Sequence, residues 1–232
     1  MPGTSVARMA LVTFKDLCID ATDVPAMQGF WARTLHLDDE FFDDDGSAVL
    51  RGRDPWQTVW INLVPETTTV KARVHLDVVA TSLEPFAGLR QVTGDGEFAW
   101  TTFLDPEGNE FCVFTGSTRD PGLKDVVVDA IDAPAIAAWW TEIWGGSIAH
   151  EDGYSHIDDI PGAPVESFDF VDVPEPKTVK NRIHWDVTLE EGATVDDLVA
   201  EGAVVLALPT ADERWTVMAD PEGNEFCVFG RE

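Results

Sequence analysis

The chain has 232 residues and sets 43 Asp and Glu against 15 Lys and Arg, a formal net charge of −28 at pH 7. Gripping nucleic acid or an anionic membrane through the general surface requires Lys and Arg to displace counterions from phosphates, so both partner classes are excluded. With 44% hydrophobic residues, 9 Trp and 13 Phe, the chain still carries the apolar area of a globular protein. Cys18, Cys112 and Cys227 are odd in number and far apart, which argues against a disulfide framework and for a reducing compartment. Residues 1–9 hold no apolar stretch, and no run nears the roughly 20 apolar residues of a bilayer span, so a cytoplasmic location is expected.

Taken in order, Lys15 to Ala21 alternates with period two and predicts a strand. Asp23-Val24-Pro25 supplies an N-cap and a first-turn proline, and Met27, Phe30, Trp31, Thr34 and Leu35 form the apolar stripe of the helix that follows. The acidic stretch 38–45 lacks the spacing of a calcium loop and reads as a solvated loop. Short strands are expected at about 48–52 and 57–64, a strand carrying His75 at 73–79 and a helix near 83–90. A hairpin is expected on Asp105-Pro106-Glu107-Gly108-Asn109, where Asp and Pro open the turn and Gly or Asn returns the chain.

The segment Asp105 to Phe114 recurs letter for letter as Asp220 to Phe229. Val70 to Val78 matches Val179 to Val187, and Lys15 to Ala26 matches Lys124 to Ala135, both at an offset of 109 residues. The chain therefore divides into two homologous modules, 10–116 and 123–231, joined by a linker at 117–122 rich in Gly, Ser, Asp and Pro. Each module reads as two successive βαβββ units, four in all, and strands closed by hairpins between helices give an α+β class.

With the strand ending Asp-x-x-Asp-(Val/Ala)-Pro, Phe30-Trp31 or Trp139-Trp140 in the helix, the Arg-x-His-x-Asp strand and the doubled Asp-Pro-Glu-Gly-Asn turn, the sequence resembles the glyoxalase/bleomycin-resistance/extradiol-dioxygenase superfamily, also called vicinal oxygen chelate. The likeness extends over nearly the whole chain. It implies that the two βαβββ units of each module curl into a cup whose concave face binds ligand. Alternation then assigns Asp16, Cys18, Asp20, Arg73, His75, Asp77, Glu110, Cys112 and Phe114 to the first cup. It assigns Asp125, Val127, Asp129, Arg182, His184, Asp186, Glu225, Cys227 and Phe229 to the second.

Metal-dependent members of the superfamily place His on the first strand, His on the fifth and a carboxylate on the last. The corresponding residues here are Asp16, His75 and Cys112, or Asp125, His184 and Cys227. Only the fifth-strand His matches, so no metal cofactor is expected; if a divalent metal does bind, those two triples would hold it. The resulting expectation is a protein that holds a small, not polyanionic molecule in a cup without the superfamily's metal. The alternative is a lyase or isomerase using His75 or His184 as acid and base or as metal ligand. Two modules in one chain permit a monomer, and a homodimer is also compatible.

Overall fold

The computed structural model describes residues 10–42, 46–54, 56–211 and 213–231, so the expectation for residues 1–9 and the end of the acidic stretch, 43–45, lie outside it. The first unit comprises β1 (Val12–Ala21), α1 (Val24–Leu35), β2 (Asp38–Phe42), β3 (Ala48–Arg51) and β4 (Thr58–Leu63). In the second, β5 (Val74–Ala80) is followed by a 3-10 turn (Glu84–Phe86), β6 (Trp100–Leu104) and β7 (Glu110–Thr115). The third has β8 (Gly122–Ala130), α2 (Ala133–Trp144), β9 (Ser147–Glu151), β10 (Tyr154–Asp158) and β11 (Ser167–Asp172). The fourth has β12 (Ile183–Leu189), α3 (Val195–Ala200), β13 (Val204–Ala207), β14 (Thr216–Ala219) and β15 (Glu225–Phe229).

Local chemistry accounts for these elements. Asp23 and Asp132 cap α1 and α2 by accepting from the backbone N–H of Ala26 at 3.1 Å and Ala135 at 3.0 Å. The Asp105 and Asp220 carboxylates each accept backbone N–H groups of their own turn, at Glu107 and Asn109 and at Glu222 and Asn224. Two expectations are corrected. The helix near 83–90 shrinks to the 3-10 turn, since Gly88 disfavours propagation and Gln91 leaves to bridge Phe103. The acidic stretch is not all loop, because Asp38–Phe42 adds an edge strand to β3.

The strands make two mixed sheets, ordered β13-β14-β15-β12-β1-β4-β3-β2 and β6-β7-β5-β8-β11-β10-β9. The α+β class and the tandem of modules stand, but the pairing of units differs from expectation. Neither sheet belongs to one module: β1 runs antiparallel to β12 and β5 antiparallel to β8, so the first unit joins the fourth and the second joins the third. Connection length explains the choice. The six residues 116–121 reach at most about 20 Å, which holds β8 in the sheet of β7, whereas the ten-residue segments 64–73 and 173–182 run from one sheet to the other.

Helix stripes and the apolar faces of both sheets share one core. Trp31 on α1 meets Phe111 on β7 at a ring-centroid distance of 5.6 Å, and Trp140 on α2 meets Trp185 on β12 at 5.2 Å, so each helix ties its own unit to the opposite sheet. Among the described residues, no helix is long and apolar enough to cross a membrane.

A fragment spanning 10–116 exposes the edges of β1 and β5 that the second module covers. In light scattering with circular dichroism it is expected to form a homodimer, one copy's β1 against the other's β5, or to remain unfolded. A folded monomer would contradict the cross-module pairing.

Candidate functional site

Cross-module pairing redistributes the predicted cup residues without turning any to the other face. On the eight-stranded sheet Cys18 lies opposite His184, Asp16 opposite Asp186, and Asp186 beside Cys227. Asp20, Arg182, Glu225 and Phe229 complete this face. On the seven-stranded sheet His75 lies opposite Val127, and Asp77 faces both Asp125 and Cys112. Arg73, Glu110, Phe114 and Asp129 complete that one. The triples Asp16/His75/Cys112 and Asp125/His184/Cys227 are thus each split between two sheets. Their regrouped forms are Asp16/His184/Cys227 and Asp125/His75/Cys112.

A register slip in β1 between Phe14 and Asp16, and one in the β5–β8 pairing beside Asp125, mark two bulges that sequence alternation does not reveal. There Lys15 donates to the Asp16 carboxylate and lies 4.5 Å from the Phe229 ring centroid. Lys124 donates to Asp125 and lies 4.9 Å from the Phe114 ring centroid. The other lysines behave alike: Lys71 pairs with Asp129 at 3.2 Å, Lys177 with Glu225, and Lys180 with Asp20. All five lysines of the chain therefore neutralise acids of the two concave faces. Both members of the Lys15/Lys124 and Lys71/Lys180 pairs stand in the repeated strings, and that recurrence was the available signal. Aromatic ledges adjoin both lysine-bearing rings, with Trp215 stacked on Phe229 at 5.4 Å and Trp100 against Phe114 at 5.6 Å.

The two faces differ electrostatically. Burial disfavours charge on His75, but Asp77, 3.5 Å from its Nε2, and Cys112 outweigh this and raise its pKa to about 10. Burial lowers His184 to about 4, reinforced by Lys180 and opposed by Asp20 and Glu225. Its imidazole is neutral at pH 7 and its Nδ1 has no hydrogen-bond partner. Burial lifts Asp186 to about 7, and the Cys18 and Cys227 thiols, both hydrogen-bonded to Asp186, are pushed up by burial and by that carboxylate. One face thus offers an imidazolium fixed to a carboxylate, the other an uncommitted neutral imidazole beside a carboxyl and two thiols. Asp169, which sequence reasoning passed over, is raised to about 6 by burial and by Asp125 and Asp77.

A cleft of ≈ 750 Å³ runs between segments 64–73 and 173–182 and is built from equivalent residues of both modules. Its walls include Val64, Val70, Val173 and Val179. Four acids, Asp20, Glu66, Asp129 and Glu175, balance four bases, Lys71, Arg73, Lys180 and Arg182. Arg182 donates to the Glu107 carboxylate at 2.7 Å and to the Glu66 carbonyl at 2.6 Å, and Arg73 donates to the backbone carbonyls of Asp129 and Glu175. Asp20 and Lys180 line the cleft and also contribute to the field at His184, which does not itself line it.

The profile of the glyoxalase-like domain matches residues 16–114 and again 125–229, and the chain belongs to that family. Among solved structures, a glyoxalase I variant from Zea mays is similar at a TM-score of 0.66 and 10% identity, covering 94% of this chain and 92% of that one. A putative dioxygenase from Bacillus subtilis is similar at 0.62 and 15% identity, covering 96% and 86%. The cppA protein from Streptococcus pneumoniae follows at 0.54 and 9% identity, covering 95% and 99%. At such identities the likeness shows the fold, the vicinal oxygen chelate architecture. A search of curated proteins finds no match.

The superfamily's metal is not accommodated by the equivalent positions. Asp16 and Asp125 stand at the first-strand ligand position, and in each case a lysine ammonium already occupies the carboxylate. Donors converge instead at Cys18, His184 and Asp186, and at His75, Asp77 and Cys112.

With its folded pKa above the unfolded value, His75 stabilises the protein fully below pH 6.5, and that contribution is lost as pH rises toward 10. Replacing His75→Gln should cost on the order of 1–3 kcal/mol at pH 6. Urea unfolding at successive pH values should show the difference shrinking by pH 10.

Proposed function

We propose that the protein binds a small organic molecule, neutral or zwitterionic, in the cleft between segments 64–73 and 173–182. The observation carrying this reading is a ≈ 750 Å³ cleft with valine walls and equal numbers of acids and bases, in a chain whose net charge is −28. Its volume suits a small ligand, and its apolar walls with a few converging polar groups have the composition of such sites. Charge balance disfavours a polyanion, because every cation that would meet it is accompanied by an acid. Both walls come from one chain, so a monomer suffices. Three buried free thiols fit a reducing, cytoplasmic setting.

A second reading, a lyase or isomerase, is favoured by one observation. His184, neutral at pH 7 and with Nδ1 unpartnered, feels the charges of the Asp20 and Lys180 pair that lines the cleft. An unprotonated imidazole there would accept a proton from a bound molecule.

Val70 and Val179 line the cleft and are both partly exposed, so tryptophan at either should fill the cavity with little cost to folding. Thermal-shift screening of neutral and zwitterionic small molecules should give ligands whose affinity falls at least about tenfold in Val70→Trp and Val179→Trp, the loss of roughly 1.4 kcal/mol of contact. Hits that bind both variants as tightly as the parent protein would place the site elsewhere. For the second reading, His184→Asn should retain those ligands and abolish turnover of any that is converted.

A further inference from the structure

We infer that Arg73 is the carboxylate anchor of the cleft and that the molecule it holds is an amino carboxylic acid, which rests on the cleft being the binding site and names its ligand class. The four acids and four bases of the lining match in number but not in pairing. Lys71 is taken by Asp129 and Lys180 by Asp20. Arg182 is taken at 2.7 Å by Glu107, which stands outside the lining. Arg73 donates only to backbone carbonyls, that of Asp129 at 2.8 Å and that of Glu175, and among the described residues no carboxylate pairs with it. Glu66 and Glu175 are exposed and, among the described residues, equally unpaired. What the cleft leaves for a ligand is one guanidinium and two carboxylates.

The two arginines hold equivalent places in the repeat, as do Glu107 and Glu222, yet the turns treat them differently. Glu107 gathers the backbone N–H groups of Thr22 and Asp23 on Oε1 alone, at 2.6 and 2.8 Å, where the Thr22 hydroxyl also donates, and turns Oε2 to Arg182. Glu222 accepts from Ile131 N–H on Oε2 and from Asp132 N–H on Oε1, both at 2.8 Å, so neither oxygen is turned to Arg73. Ile131, which has no hydroxyl to draw both donors to one oxygen, stands where the first module has Thr22.

Arg182 is buried, whereas Arg73 is half-buried and lines the cleft. Each terminal nitrogen of a guanidinium carries two N–H groups, and Arg73 spends one of each on a carbonyl, so two remain for a carboxylate. A cation that faces only carbonyl dipoles gains further from a full counter-charge. An ammonium on the same ligand meets Glu66 or Glu175, and its apolar part meets the valine walls. One cation facing two carboxylates refuses a dianion.

The full chain should be titrated calorimetrically with L-leucine, L-phenylalanine and 6-aminohexanoic acid, each compared with its carboxamide and its N-acetyl derivative. At least one of the three should bind, and do so about tenfold or more tightly than its carboxamide, the difference that a charge-assisted hydrogen bond makes. Its N-acetyl derivative, lacking the ammonium, should bind more weakly. Arg73→Gln should bring the acid down to the level of the amide and leave the amide's own affinity unchanged, whereas an Arg73 that only braces the two carbonyls would cost acid and amide alike. If Arg73→Gln fails to fold by circular dichroism, Arg73→Lys, which keeps the charge without the fork, should still narrow the acid-to-amide ratio. No binding by any of the three amino acids, a carboxamide held as tightly as its acid, or a ratio unchanged in the Arg73 variant that folds would each overturn the inference. The cleft itself is tested separately: ligands of any charge that lose affinity in Val70→Trp and Val179→Trp uphold it, while amino acids that bind those variants as tightly as the parent protein overturn both.

Discussion

An unpaired strand edge is a row of unsatisfied backbone donors and acceptors, and here two such edges are buried in the middle of sheets. β1 is closed by β12 and β5 by β8. The make-up of both concave faces and of the cleft follows from that closure. The register of β1 on β12 brings Cys18 to His184 and Asp16 to Asp186, so each concave face is a composite of two modules. Crossing of segments 64–73 and 173–182 from sheet to sheet, which the closure requires, leaves them facing one another as walls of the cleft. The helices reinforce the arrangement, with Trp31 and Trp140 each bridging to the opposite sheet.

Charge is distributed by the same logic. A net charge of −28 is mostly a property of the surface, where repulsion is screened and solubility gained. On the concave faces five of the acids are matched, because every lysine of the chain is paired with one of them. Buried or half-buried carboxylates without such partners take up protons instead, as burial makes Asp186 and Asp169 do. The cleft between segments 64–73 and 173–182, with four acids and four bases in its lining, is therefore quite unlike the anionic exterior.

Much of this was legible in the sequence. Period-two alternation placed Asp16, His75, Cys112 and their repeats on the correct faces, and the doubled Asp-Pro-Glu-Gly-Asn turns located both hairpins. The family followed from the same strings. Pairing between units was not legible, for a physical reason. The two modules present nearly identical strands, so β1 on β5 and β1 on β12 bury equivalent faces, and the deciding quantity is the reach of the linkers. The bulges at Lys15 and Lys124 were hidden because a bulge breaks the periodicity from which faces are read. The short β2 was hidden because an acidic composition resembles a loop. The cleft was invisible, since its walls are irregular segments whose juxtaposition depends on the closure.

The claim that β1 closes on β12 is tested most directly by engineered disulfides. Thr13 and Thr188 are partners in the register, and both are partly exposed. With both residues replaced by cysteine, mild oxidation followed by peptide mapping should give an intramolecular bridge between these two positions in nearly all of the monomer. Failure of that bridge to form, while a cysteine at Thr13 instead links to one placed at the outer end of β5, would contradict the cross-module pairing and with it the composite sites.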